Sequence, residues 1–311
     1  MSDESPVTTT FWPGHPLSYA TTRIGLFYND QFLSSATGFV LHVGPLYSLV
    51  TNWHVVSGIH PITGACISKM GGLPNRISFH VAAFTPTEAG EERLGAMYFR
   101  PIELDLHAKD GSPIWFDEKE PGVQNDYAVI PLNQHVPELR DGVSKLRCID
   151  GGKVTIKRRL EGLPEEGMVR VQDIAHFYPR IGSEVFVIGY PLGISSNGIF
   201  PIWKRASIAS EPQTGVTLSG RNYDNAFYVD AMTKAGMSGS PVVYLGRTGD
   251  KLYSDDGIVV EQREDEPLMV GVYAGRDGVS QDEYELSVGR VWKIGSVEAL
   301  VMKHHARYEL A

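Results

Sequence analysis

The sequence predicts an all-β chain, and three observations carry that expectation. Short apolar runs with strand-like alternation recur along most of the 311 residues, and the 33 glycines and 19 prolines are spread between them rather than clustered. Helical spacing is confined to one stretch at the C-terminal end. Such a distribution suits many short strands and turns, not disorder or a helical bundle. The length fits about two compact domains without a third.

Residues 1–18 are polar and carry Pro6, Pro13 and Pro16, which reads as an N-terminal arm. A first domain is expected over 19–150. Ile24–Tyr28 and Gly38–His42 read as strands flanking the turn at Asn29-Asp30, and Leu49–Val56 is an apolar strand ending in His54. Ile77–Val81 alternates, and Phe99–Leu106 is expected to pair across Lys109-Asp110-Gly111-Ser112 with Ile114–Phe116. Asn125–Leu132 opens a further apolar strand with Asp126. Residues 151–178 are a crossover without sharp linker composition, with Val154–Arg158 and Met168–Val171 as candidate strands.

The second domain, 179–311, is expected to place strands at Val185–Ile188, Pro201–Ser210, Ala226–Asp230, Val242–Leu245, Leu268–Ala274 and Ser287–Val291. The acid-rich stretch between Tyr244 and Leu268 reads as a solvated hairpin region. Ser296 is a candidate cap for a closing helix in which Val297, Leu300, Val301, His304 and Tyr308 recur at helical spacing.

Between two of these strands lies Gly236-Met237-Ser238-Gly239-Ser240-Pro241, a glycine-rich turn. Small neighbours let a carbonyl approach Ser238, and the backbone N–H groups of Gly236 and Ser238 can aim at a developing oxyanion. A hydroxyl needs a base to take its proton and an acid to orient that base. His54 and Asp126 are the candidates, because each sits at the end of a buried-looking strand and a buried carboxylate without such a partner would be costly. The chain order His, Asp, Ser belongs to one of three unrelated triad folds. An α/β-hydrolase elbow would need glycine where Ser240 stands, and its histidine would follow the serine.

On these residues the sequence resembles the chymotrypsin-like serine proteases, more closely the bacterial trypsin-like and HtrA-like branch than the digestive enzymes. The likeness runs in family order through Ser35–Val40 with Leu49–Val56, Asn125–Leu132, Ile181–Gly193 and Asp230–Val243. It implies two packed six-stranded antiparallel β-barrels with a C-terminal helix; because that helix ends the chain, no PDZ-like domain is expected after it, unlike many HtrA-like proteins. It also implies a specificity pocket with Met232 as floor and walls near Ala274, Arg276 and Leu286. No acid stands at that floor, so cleavage after Lys or Arg is disfavoured and small or medium apolar residues are expected. Arg276 is expected to turn outward to solvent.

The formal charge of −9, from 28 basic and 37 acidic residues, argues against nucleic acid or an anionic membrane as partner. No apolar stretch approaches 18 residues, and Cys66 and Cys148 cannot build a disulfide framework. Met1–Pro6 lacks a basic n-region, so a cytoplasmic protein is expected. Neither metal-site spacings nor phosphate or dinucleotide fingerprints occur, so no metal and no cofactor are expected. The expected activity is peptide-bond hydrolysis by a serine endopeptidase through an acyl-enzyme, on protein or peptide substrates. The alternative is a protease-like binding module that is catalytically silent or activated by a partner. Met237 stands where the digestive branch carries an aspartate that pairs with a freed N-terminus, so regulation is expected through loops or a regulatory protein partner instead.

Overall fold

The computed structural model describes residues 14–68, 71–84, 97–120, 123–136, 145–146, 148–150, 176–218, 220–255, 257–262, 265–276 and 288–304. The crossover strands expected at 154–158 and 168–171, the wall residue Leu286 and the helical Tyr308 lie outside them.

The chain is all-β with few helices. Its N-terminal half is a nine-stranded sheet built from β1 (Thr21–Tyr28), β2 (Gln31–Val43), β3 (Leu46–Thr51), β4 (Arg76–Phe84), β5 (Met97–Asp105), β6 (Phe116–Glu120), β7 (Val123–Pro131), β8 (Lys145–Leu146) and β9 (Ile149–Asp150). Its main path runs β5-β4-β1-β2-β3-β7-β6, with β8 added to β4 and β9 to β2. Among the described residues no ladder joins β5 to β6. Closure of the expected first barrel is thus not seen among the described residues. All nine residues of β5 are paired with β4, and β6 pairs with β7 instead of β5. The expected hairpin across Lys109–Ser112 is reduced to a single bridge, His107 to Pro113.

The C-terminal half closes as expected. β11 (Glu184–Gly189), β12 (Ile202–Ile208), β15 (Ala226–Asp230), β20 (Val288–Lys293), β19 (Pro267–Arg276) and β16 (Pro241–Leu245) form a six-stranded barrel in that order. Beside it lie the three-stranded sheet of β10 (Phe177–Pro179), β17 (Lys251–Ser254) and β18 (Val259–Glu261) and the hairpin of β13 (Val216–Leu218) and β14 (Arg221–Tyr223). Phe177 and Tyr178, read as crossover, are buried strand residues here.

Period-2 alternation divides the apolar side chains among three cores. Along β2, Ala36 and Val40 pack into the N-terminal sheet with Leu49, Ile77 and Phe79. The intervening Phe39 and Leu41 face a seam shared with Ile188, Val243 and Trp292 of the barrel. Phe227, Val229, Met237 and Tyr273 fill the barrel itself. A one-residue slip of β2 would exchange two cores at once, which specifies its register strongly.

Among the described residues four α-helices punctuate the strands: α1 (Pro16–Ala20), α2 (Trp53–Ser57), α3 (Leu132–His135) and α4 (Ile294–Lys303). α1 belongs to the stretch read as an arm, and it is held by burial of Leu17 and Tyr19. Pro16 fits the first helical turn, where a missing N–H costs nothing, and His15 Nδ1 accepts from the Leu17 N–H. α4 begins at Ile294 after Lys293, so Ser296 is interior to the helix and not its cap. The helix seals the seam with Val297, Leu300 and Val301. Among the described residues no helix is long and apolar enough to cross a membrane.

Candidate active site

β3 and β7 are paired from Ser48 opposite Pro131 to Thr51 opposite Ala128. That register brings the residues just beyond each strand's ladder, Asn52 and Asp126, side by side. The buried Asn52 donates from Nδ2 to the backbone carbonyl of Asp126 at 2.6 Å. His54 is the second residue of α2, a step past the strand end where it was expected. The one-turn helix stops at Gly58, which is left-handed (φ 70°) and returns its N–H to the His54 carbonyl at 3.0 Å.

Asp126 is 1% exposed. Its Oδ1 accepts from the His54 backbone N–H at 2.9 Å, and His54 Nδ1 lies 2.9 Å from Oδ1 and 2.8 Å from Oδ2. An ionised carboxylate can only accept, so Nδ1 carries a proton, and in the neutral imidazole Nε2 then holds the lone pair. Burial pushes the Asp126 carboxyl up, but the facing imidazole, the two kinds of hydrogen bond from His54 and the charge of Arg290 outweigh it. The net value lies below the usual carboxylate range. Arg290 is itself buried, with its guanidinium over the Trp292 and Tyr223 rings at 5.2 and 5.8 Å.

Ser238 lies in the 231–240 loop between β15 and β16. Its carbonyl accepts the Thr37 N–H at 2.9 Å, and the Gly239 N–H donates to the Tyr273 carbonyl at 2.9 Å. The loop lies so close to β2 that a β-carbon on Gly239 (φ 84°) would stand 2.1 Å from the Thr37 carbonyl oxygen. Two further bonds orient Gly236. The Ala235 carbonyl accepts the Leu192 N–H at 2.6 Å, and the Gly236 carbonyl accepts from Thr37 Oγ1 at 2.7 Å. In a trans peptide the N–H points opposite to the C=O, so fixing the Ala235 carbonyl turns the Gly236 N–H the other way. Among the described residues neither the Gly236 nor the Ser238 N–H has an acceptor, as donors awaiting an oxyanion require.

His54, Gly236 and Ser238 share one cavity of about 500 Å³. The structure thus brings His54, Asp126, Ser238 and Gly236 together. No hydrogen bond joins Ser238 Oγ to His54 Nε2 among the described residues; all those of the imidazole are on the Asp126 side.

The expected pocket residues are placed differently. Met232, taken as a floor, is 74% exposed and lines no wall of this cavity. The space beside its segment holds Tyr273, which is 1% exposed. The Tyr273 hydroxyl is hydrogen-bonded to Thr233 Oγ1, and its ring lies where a β-carbon on Gly289 would be. A floor needs covering walls, and here a tyrosine ring already occupies the enclosure. Ala274 is buried toward the seam, and Arg276 is half-buried.

Sequence reasoning missed Asn52, Thr37, Leu192 and Tyr273. Only Thr37 carried a signal, as a fully buried polar residue between Ala36 and Gly38 at the start of the apolar part of β2.

A family model described as trypsin-like peptidase domain matches residues 36–249, a span that contains His54, Asp126 and Ser238. The chain belongs to this family. As a trypsin-like peptidase it is a hydrolase of peptide bonds. No curated protein matches it. Similar solved structures include a mutant, inactive form of Rv3671c from M. tuberculosis H37Rv, with 18% identity, coverage of 93% of this chain and 88% of that one, and a TM-score of 0.39. Deg5 is similar at 14% identity, 92% and 89% coverage and a TM-score of 0.41. The serine endoprotease from Yersinia pestis is similar at 13%, 94% and 64%, and 0.40.

Proposed function

We propose that this trypsin-like peptidase is a serine endopeptidase acting through Ser238, His54 and Asp126. Ser238 Oγ attacks the scissile carbonyl carbon while His54 Nε2 takes its proton. The resulting oxyanion is held by the N–H groups of Gly236 and Ser238. Collapse expels the amine, which receives the proton back from His54, and leaves an acyl ester on Ser238. Water then repeats the sequence and releases the acid. Asp126 keeps the imidazole in the tautomer that this requires. One observation carries the reading: the buried Asp126 holds His54 Nδ1 within 2.9 Å while His54 lines the same cavity as Gly236 and Ser238.

The missing bond from Ser238 to His54 favours one other reading, a protease that a partner switches on. Such bonds are often long without substrate and tighten in the complex. A fluorophosphonate probe separates the two. Labelling of purified wild-type protein, lost in Ser238→Ala and His54→Ala, supports the self-sufficient enzyme. Labelling only after addition of a lysate fraction supports the switched one.

A further inference from the structure

The chemistry of acyl transfer divides the site in two. The acyl half of a substrate stays on Ser238 and its carbonyl oxygen turns to the Gly236 and Ser238 N–H groups, whereas the leaving half takes its proton from His54. The leaving half therefore extends past His54, over the elements that surround it. The cavity of about 500 Å³ lies on this side. Apart from Ala235, Gly236 and Ser238 its walls come from the N-terminal sheet, from α2 and from the chain just after it. Leu26, Leu33, Ala36, Val55, Ile67 and Pro74 make it apolar, and among its described lining residues none is Asp, Glu, Lys or Arg. On the acyl side, by contrast, Tyr273 fills the space between Thr233 and Gly289.

We propose that the enzyme selects its cleavage site mainly from the leaving side. A large apolar residue directly after the scissile bond enters the cavity beside His54, and the residue before the bond is kept small by Tyr273. The idea rests on Ser238 acting as the nucleophile. A volume of this size accepts a leucine, methionine or phenylalanine side chain, while a carboxylate entering it would lose water among mostly apolar walls with no Lys or Arg among the described lining residues. Discrimination of tenfold or more between apolar and acidic residues is in the range of such pockets.

Acyl transfer reads the leaving side directly. An activated alanine ester acylates Ser238, and the acyl-enzyme is intercepted by an added amino-acid amide in competition with water. The amine forms the new peptide bond as Ser238 regains its proton through His54. The ratio of peptide to acid depends on how the amine is held, not on the overall rate. We expect leucinamide to be captured at least about tenfold better than glutamic acid amide. In Ile67→Lys that ratio should fall several-fold, with the acidic amine gaining. Ile67 is 47% exposed, so the change is tolerable to the fold. Ser68→Lys, on the same rim, gives a second variant. Equal capture of both amides, or a wild-type preference for the acidic one, would overturn the leaving-side assignment while Ser238 remained the nucleophile. Failure of the ester to acylate Ser238 at all would remove the nucleophile and this inference together.

Discussion

The two halves of the molecule solve different problems. The barrel closes on itself, and every one of its six strands has a partner on each flank. The N-terminal sheet shows no β5–β6 ladder among the described residues, and it carries His54 and Asp126, both set by a single ladder between β3 and β7. The loop between β15 and β16 of the barrel carries Ser238 and the N–H groups of Gly236 and Ser238. Position within each group is thus a local matter, and alignment between the groups is not. That alignment passes through Thr37. Its hydroxyl donates to the Gly236 carbonyl at 2.7 Å and accepts the Tyr190 N–H at 3.1 Å, and its own N–H holds Ser238.

The sharpest way to break this division is to remove one member from each half. Ser238→Ala and His54→Ala should each lower kcat by about 10⁴-fold or more, and the double variant should be no slower than the worse single. Steady-state kinetics on an apolar-leaving peptide would check this, and multiplicative losses would mean that the halves do not act as one unit. Next in size is Tyr273→Ala, which leaves a cavity in the barrel and should cost about 3 kcal/mol by denaturant unfolding. It should also admit larger side chains before the scissile bond in a peptide library. Unfolding without any change in library profile would leave Tyr273 as packing alone.

Thr37→Val probes the joint itself. It removes both side-chain bonds and should lower kcat by at least about tenfold with little change in KM, because a misaligned donor is felt in the transition state. Thr37→Ser should restore most of the rate, and an equal loss in both variants would assign the effect to packing. The smallest effect concerns acid. The folded Asp126 carboxyl lies below its ordinary value, so its stabilisation is complete above about pH 4 and is lost as pH falls through the folded value. Circular dichroism should find a shallower acid-unfolding limb in Asp126→Asn than in the wild type. An identical limb would mean that the charge on Asp126 contributes nothing.

This division also explains what was legible beforehand. The barrel strands were readable because each is a short apolar run bounded by turn residues, and their observed bounds fall within a few residues of the expected ones. Strand partners in the first half were less readable, since which strand β5 or β6 meets is decided by long-range pairing that no local pattern encodes. His54, Asp126 and Ser238 were visible because acyl-transfer chemistry calls for those residue types and one fold orders them that way along the chain. Thr37 meets Gly236 across 199 residues of chain, a contact with no periodicity to reveal it. Met232 is exposed, and the buried ring of Tyr273, hydrogen-bonded to the adjacent Thr233, is a packing outcome that chain position alone does not reveal.

The seam where Thr37 sits has a consequence for heat. Hydrogen bonds of 2.7–3.1 Å tolerate only a few tenths of an ångström of sliding before they weaken steeply. Warming that merely loosens one half against the other would part the base from the nucleophile while both sheets kept their ladders. The protein would then go silent while its circular dichroism still reported a folded chain, and cooling would bring it back.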